Sequence, residues 1–299
     1  MANTSLPINI KGIAIGDGTF GNIAALTDVV AVPYLQSQNV ILDIPTEILD
    51  VFRKAHQDLG FEDVLSKATY PPAGKIIMPG DPEGENFRLK KRQNGDCPPN
   101  PTTPALIEQS IRSCNGGNAT FITALTYLNS TRPCFSPYNI AYNCTNTPNP
   151  TAYTNYLNDP TVRAAIHAPN KTFAPCNSTV FDTLSAEMVE PPAYNIMPAL
   201  LAANVSIHIY SGDYDFLLNH YGTELAIQNM TWGGMQGLQS RPDNLFIING
   251  INMGNWACEV RLFVCPSFPF RTQTCNQKIY STDKPLLTTS SAVSPTTTS

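Results

Sequence analysis

An α/β fold, with a partial sheet, a mainly helical insertion and a disordered tail, is what the 299-residue chain predicts. Three stretches carry that expectation. Residues 8–16 read as a buried strand that ends in a Gly-rich turn. Residues 22–60 read as largely helical, with apolar side chains spaced through Ile44, Ile48, Val51 and Phe52. Residues 205–219 begin as a strand of period two at Val205, Ile207 and Ile209, then turn sharply at Gly212 and present Asp213 and Asp215. Ligands of open α/β sheets meet the carboxyl ends of the strands, so this turn is a place for a catalytic carboxylate.

The remaining elements follow in order. From 66 to 104 prolines, glycines and charges give no period. Residues 105–128 regain helical spacing, and 132–152 is a Pro/Asn/Thr-rich excursion. Asp159-Pro160 starts a helix with proline at its first position, expected to carry Val162, Ala165 and Ile166 inward before Pro169 ends it. Residues 195–203 predict a short helix feeding the strand at 205, and 216–230 the helix after the acid turn. Residues 244–251 predict one more strand, and the Ser/Thr/Pro-rich tail from Thr282 has too little apolar surface to pack.

Composition narrows the class. The charged fraction is 14%, against about 25% in ordinary soluble domains, and 26 prolines point to a loop-rich extracellular protein. A net charge of -5 and no basic cluster beyond Lys90-Lys91-Arg92 exclude a nucleic-acid footprint. No apolar run is long enough to span a membrane. Asn-x-Ser/Thr recurs at Asn3, Asn118, Asn129, Asn143, Asn170, Asn177, Asn204 and Asn229, about twice the chance expectation, which points to glycosylation in the secretory pathway. The eight cysteines contain no Cys-x-x-Cys pair and have few histidines near them, so disulfides are expected rather than a metal site, and no cofactor is implied. Five of them fall between Cys97 and Cys176, an odd number that leaves at least one without a partner in that region. The start, Met-Ala-Asn-Thr-Ser-Leu-Pro-Ile, lacks the features of a secretory leader, so the chain is expected to begin inside a longer protein.

Four spaced segments identify a resemblance. Residues 8–18, Ile-Asn-Ile-Lys-Gly-Ile-Ala-Ile-Gly-Asp-Gly, look like the Lys-Gly-Ile-Ala-Ile-Gly-Asn-Gly strand and turn of the serine carboxypeptidases. Residues 156–169 match that family's Tyr-Leu-Asn-x-Pro-x-Val-x-x-Ala-Ile-His-Ala-Pro segment. The Tyr-Ser-Gly-Asp-x-Asp block follows, and Gln228 to Gly237 resembles what comes after it in fungal members. The resemblance covers roughly residues 8 to 259 and implies the carboxyl-terminal part of a secreted α/β-hydrolase. It divides the chain into an incomplete core at 1–21 and 153–259, an insertion at 22–152 and an off-family tail at 260–299. The full-length parent would be an exopeptidase without metal or cofactor, acting on peptide or protein substrates in the secretory pathway, outside the cell or in a vacuole.

The chemistry of that family needs Ser, Asp and His in chain order, with the serine on a Gly-x-Ser-x-Gly elbow. Only the aspartate has a candidate. By alignment to the Gly-Asp-x-Asp block, Asp215 matches the catalytic acid and Asp213 fixes the turn. No elbow is found, and the histidine expected downstream in a Gly-His-Met-x-Pro context is missing, since the last histidine, His220, stands only five residues after Asp215. His56, His167, His208 and His220 therefore read as structural or solvated residues. At Val260 the family pattern breaks, and Val-Arg encoded as GTACGT would suit a splice donor. The expectation is a retained intron or frameshift from 260 onward, with Cys265 and Cys275 accidental. The chain as given is expected to be inactive, with an open sheet edge, an uncovered apolar face and poor solubility. The rival reading is a noncatalytic binding module on the hydrolase scaffold. An aspartic protease is set aside because Asp213 and Asp215 share one turn rather than facing each other from separate loops.

Overall fold

The computed structural model describes residues 9–79, 97–114, 119–146, 151–185, 190–268, 280–281 and 284–285. Strand β1, Gly12–Gly16, leads into a run of helices: α1 Ile23–Leu26, α2 Asp28–Ser37, α3 Asn39–Leu42, α4 Thr46–Asp58 and α5 Phe61–Ser66. Helices α6 Pro104–Ser113 and α7 Thr120–Thr131 complete a helical lobe. Thr103 caps α6 with its hydroxyl, and Pro104 fills the first helical position, where a missing N–H costs nothing. Asp28 does the same service across the lobe, since its Oδ1 accepts the Phe121 N–H at 2.9 Å at the start of α7. The lobe buries Tyr34, Leu35, Phe52, Ile107, Ile111, Leu128 and Phe216 in one cluster. Disulfides join Cys97 to Cys114 and Cys134 to Cys144.

Helices α8 Ala152–Asn158, α9 Pro160–Ala165 and α10 Ser178–Ser185 come next. Asp159 caps α9, with Oδ1 accepting from Thr161 and Val162, so the predicted start holds. The predicted inward face does not. Val162 is only half-buried, Ala165 is exposed and Ile166 is 56% exposed, because no described element packs against that side of α9.

The sheet resumes with α11 Ile196–Ala202, β2 Ser206–Gly212, α12 His220–Gln228, and the short pair β3 Thr231–Trp232 and β4 Met235–Gln236. The helix after the acid turn starts at His220 rather than 216, because Asn219 takes the cap position and accepts the Gly222 N–H. Then follow β5 Asn244–Ile248, β6 Ile251–Glu259 and β7 Leu262–Phe268. The single strand expected over 244–251 is a hairpin. Asn249 and Gly250, both at positive φ, form its turn, the Asn-Gly signal that the apolar run had masked.

The strand order is β1-β2-β7-β6-β5. β1, β2 and β7 run parallel, while β7, β6 and β5 are antiparallel neighbours. The disordered tail expected from 260 is corrected over its first part: Leu262, Phe263 and Val264 are buried in the middle of the sheet. Three consecutive apolar side chains beside β2 outweigh their lack of family pattern. In the separate unit 270–299, Tyr280–Ser281 pairs antiparallel with Lys284–Pro285.

Ile207 and Ile209 pack with Met197 and Leu201 of α11 and with Ala226 and Ile227 of α12. On the alternate positions of β2, His208 meets Phe263 edge-on at 4.5 Å and Tyr210 is 46% exposed. Leu245, Ile247 and Ile251 are also exposed, and β1 has no partner on its outer edge among the described residues. Helix α12 sits unusually close to α1. A Cβ on Gly222 would lie 2.8 Å from the Leu26 Cα and 2.9 Å from its carbonyl oxygen, both immobile backbone atoms. Gly222→Ala is therefore expected to destabilise by about 1–3 kcal/mol, against a helix-propensity gain of about 1 kcal/mol. A thermal melt with unchanged or raised Tm would contradict this contact.

Candidate active site

The acid turn begins where β2 ends. Asp215 is 3% exposed, and its Oδ1 accepts the backbone N–H groups of Leu217 at 2.8 Å and Leu218 at 3.2 Å. Two segments distant in sequence hold that turn. From α2, the Tyr34 hydroxyl donates to the Asp213 carbonyl at 3.2 Å, and Gln38 Nε2 donates to the same oxygen at 3.3 Å. From the loop closed by the Cys134–Cys144 disulfide, Pro137 accepts the Phe216 N–H at 2.8 Å, and Ile140 donates to the Tyr214 carbonyl at 2.9 Å. Asp213 thus works mainly through its backbone, at the hinge of the turn.

Beside Asp215 stands Asp17, from the turn that ends β1. Asp17 follows β1 at φ 51, a left-handed conformation that aspartate tolerates better than most side chains. The Asp17 carboxyl stands close enough to the Asp215 carboxyl that each shifts the other's ionisation. Burial and then the Asp17 charge push Asp215 up to about 7, against the opposing Leu218 and Leu217 N–H groups. Burial also raises Asp17, partly offset by the neighbouring Asp215 carboxyl. The premise used to set aside an acid dyad is therefore corrected: two carboxyls from separate loops do face each other, but the second is Asp17. The pair is lopsided, with Asp215 buried and Asp17 exposed, unlike a symmetric dyad open to one water.

The profile of the family described as serine carboxypeptidase matches residues 1–257. The chain belongs to the serine carboxypeptidase family. A carboxypeptidase Y homolog of Arthroderma benhamiae is 36% identical over 257 residues, covering 79% of this chain and 50% of the relative. Serine-type carboxypeptidase F of Aspergillus niger is 23% identical over 261 residues, covering 80% of this chain and 43% of the relative. The crystal structure of a prohormone-processing carboxypeptidase from Saccharomyces cerevisiae aligns at a TM-score of 0.51 and 16% identity, over 87% of this chain and 50% of that one. This likeness supports the partial α/β-hydrolase fold. The chain spans about half the length of these relatives.

None of the four histidines hydrogen-bonds Asp215. His220 is buried at the start of α12, its Nδ1 has no hydrogen-bond partner and stands 3.9 Å from Asp213 Oδ1, and burial lowers its pKa. His56 is buried edge-on against Phe61 and is likewise lowered by burial. His208 lies between Tyr210 and Phe263, and His167 is exposed after α9. Among the described residues no three His, Cys, Asp or Glu side chains are grouped to hold a metal, and no helix is long and apolar enough to cross a membrane. Asn3 and Asn118 lie outside the described residues. Asn129, Asn143, Asn170, Asn177 and Asn204 are exposed, while Asn229 is half-buried with its Nδ2 donating to the Tyr194 hydroxyl at 3.2 Å. Cys176 and Cys258 are exposed free thiols. Asp17 was detectable in one respect: it stands where the family turn carries Asn.

Proposed function

We propose that this chain is the acid-bearing part of a secreted or vacuolar serine carboxypeptidase, whose whole form releases carboxyl-terminal residues from peptides, and that the chain by itself is inactive. The observation that carries the reading is Asp215, rigidly held at the carboxyl end of β2 by two backbone N–H groups and shielded from water. In triad chemistry such a carboxylate fixes the tautomer of a histidine and steadies the imidazolium that forms when the histidine takes the serine proton. Burial and the neighbouring Asp17 charge raise the pKa of Asp215, so an approaching imidazolium would favour its ionised form. Among the described residues no histidine hydrogen-bonds Asp215, and the sequence carries no Gly-x-Ser-x-Gly elbow, which supports the reading of an acid without its partners. In the secretory pathway, Asn129, Asn143, Asn170, Asn177 and Asn204 would carry glycans, with Asn229 the poorest acceptor because its amide is engaged.

The test is a fluorophosphonate serine probe on the full chain, alongside hydrolysis of a blocked dipeptide. The expected result is no labelling and no release. Stoichiometric labelling would overturn the missing-nucleophile reading. Hydrolysis without labelling that disappears in Asp17→Asn would instead favour an acid dyad.

A further inference from the structure

The turn between β6 and β7 is closed by residues that suit it badly. Glu259 pairs with Leu262 across it, so Val260 and Arg261 alone make the reversal, at φ 42 and φ 69. A two-residue hairpin turn with both central residues left-handed favours Asn-Gly or Asp-Gly, and the β5–β6 hairpin has Asn249-Gly250 in that place, at φ 51 and φ 78. Val260 is the one β-branched residue among the left-handed positions described. Its branched Cβ crowds the following carbonyl oxygen there, and the Arg261 Cβ does so again one residue on.

The strain is confined between two anchors. Upstream, the Glu259 carboxylate accepts the Gln239 N–H at 2.9 Å and the Ser240 N–H at 3.0 Å, which fixes the end of β6. Downstream, the Arg261 carbonyl accepts the Ile207 N–H at 3.0 Å, and Leu262 and Val264 are fully buried in β7 between β2 and β6. Val260 and Arg261 themselves are exposed, so the strands on either side impose the bend.

The register offers a way to relieve it. Ala257 pairs with Val264, Cys258 with Phe263 and Glu259 with Leu262. If the turn straightens and β7 passes into a second copy, the same register sets Val260 of each copy opposite Arg261 of the other. Both residues are then extended and paired, and no like charges meet. Each copy recovers from the other every contact that β7 makes with β2 and β6, so the entropy of association is what opposes the exchange. Short hinges under strain invite such swapping, and a reciprocal swap closes at two subunits.

We infer that two copies of this chain exchange β7, with Val260-Arg261 as the hinge, to form a two-fold dimer in which β6 and β7 of each copy become one continuous strand. The slot that β7 fills lies between two strands of the sheet, so the exchange uses no outer edge. It does not depend on the carboxypeptidase chemistry proposed above.

The test is refolding of the full 299-residue chain over a concentration series, followed by size-exclusion chromatography with light scattering. The expected result is a dimer whose share rises with refolding concentration and which separates slowly on dilution, because separation withdraws β7 from the middle of a sheet. Val260→Asn combined with Arg261→Gly relaxes the bend, so dimerisation should need a concentration at least about tenfold higher, with a Tm no lower than the parent's. That Tm shows that the dimer is lost without loss of the fold. Phe263→Cys separates exchange from surface contact. Cys258 is a free thiol, and its pair with position 263 adjoins the hydrogen-bonded pair flanking the turn, where side chains across antiparallel strands come closest. On oxidation, the dimer peak should contain a disulfide from Cys258 of one chain to position 263 of the other, located by peptide mass mapping. A monomer at every refolding concentration overturns the proposal. So does a dimer that the Asn-Gly turn leaves unchanged, or a dimer peak in which that disulfide closes within one chain.

Discussion

Phe216→Ala is expected to cost about 3–5 kcal/mol, a large part of the stability of an ordinary domain. Phe216 is fully buried beside Asp215, stacked on Phe121 with centroids 5.2 Å apart and tilted against Tyr34 at 5.7 Å and Phe135 at 6.5 Å. Those three rings come from α7, α2 and the disulfide loop, so a single side chain ties the acid turn to the helical lobe. Truncation leaves a cavity lined by aromatic rings that cannot all move inward, because Tyr34 is held by its hydroxyl to the Asp213 carbonyl. The Tm should fall by about 10 °C in a calorimetric or circular-dichroism melt. A loss below about 1 kcal/mol would mean that the lobe and the turn are not coupled through this ring.

The chain should also lose stability as pH rises from about 4 to about 7, the reverse of what salt-bridged carboxylates produce. Burial pushes Asp28 up to about 6 and Asp215 up to about 7, against an unfolded value of 3.8. Between those values the folded chain keeps protons that the unfolded chain has released. Unfolding therefore releases protons, and the free energy of unfolding falls with rising pH. The contribution is complete below about pH 4 and lost as each group passes its folded value. Each unit of pKa is worth roughly 1.4 kcal/mol, so the two groups together carry several kcal/mol and the Tm should drop by about 10–20 °C between mildly acidic and mildly alkaline buffer. Asp215→Asn keeps an oxygen for the Leu217 and Leu218 N–H groups and cannot ionise, so it should flatten the profile and melt above the parent at alkaline pH. A Tm that rises over this window, or an Asp215→Asn profile parallel to the parent, would show that the carboxyl is already ionised in the fold.

Much of this architecture could be read from local pattern. The strands at Gly12–Gly16 and Ser206–Gly212 show their period and the turns that end them, and Asp159 and Asn195 announce α9 and α11 as caps. What escaped depends on partners. The inward face assigned to α9 needed an element to pack against, and Ile166 faces solvent without one. The carboxyl opposite Asp215 comes from the other end of the chain, so no spacing rule connects them. The clamp from Pro137 and Ile140 uses backbone atoms, which leave no trace in residue identity. Strand β7 was overlooked because Pro266 interrupts its apolar run and the family pattern stops short of it.

Residues 1–257 carry the family match, yet the sheet continues through Leu262–Phe268, between a parallel neighbour and an antiparallel one. A vacancy beside an existing strand asks for little: a few apolar side chains and a backbone free to pair. The support between β2 and β6 therefore comes from residues beyond the matched span, and cutting the chain at 260 would leave both strands with an open edge at the middle of the sheet.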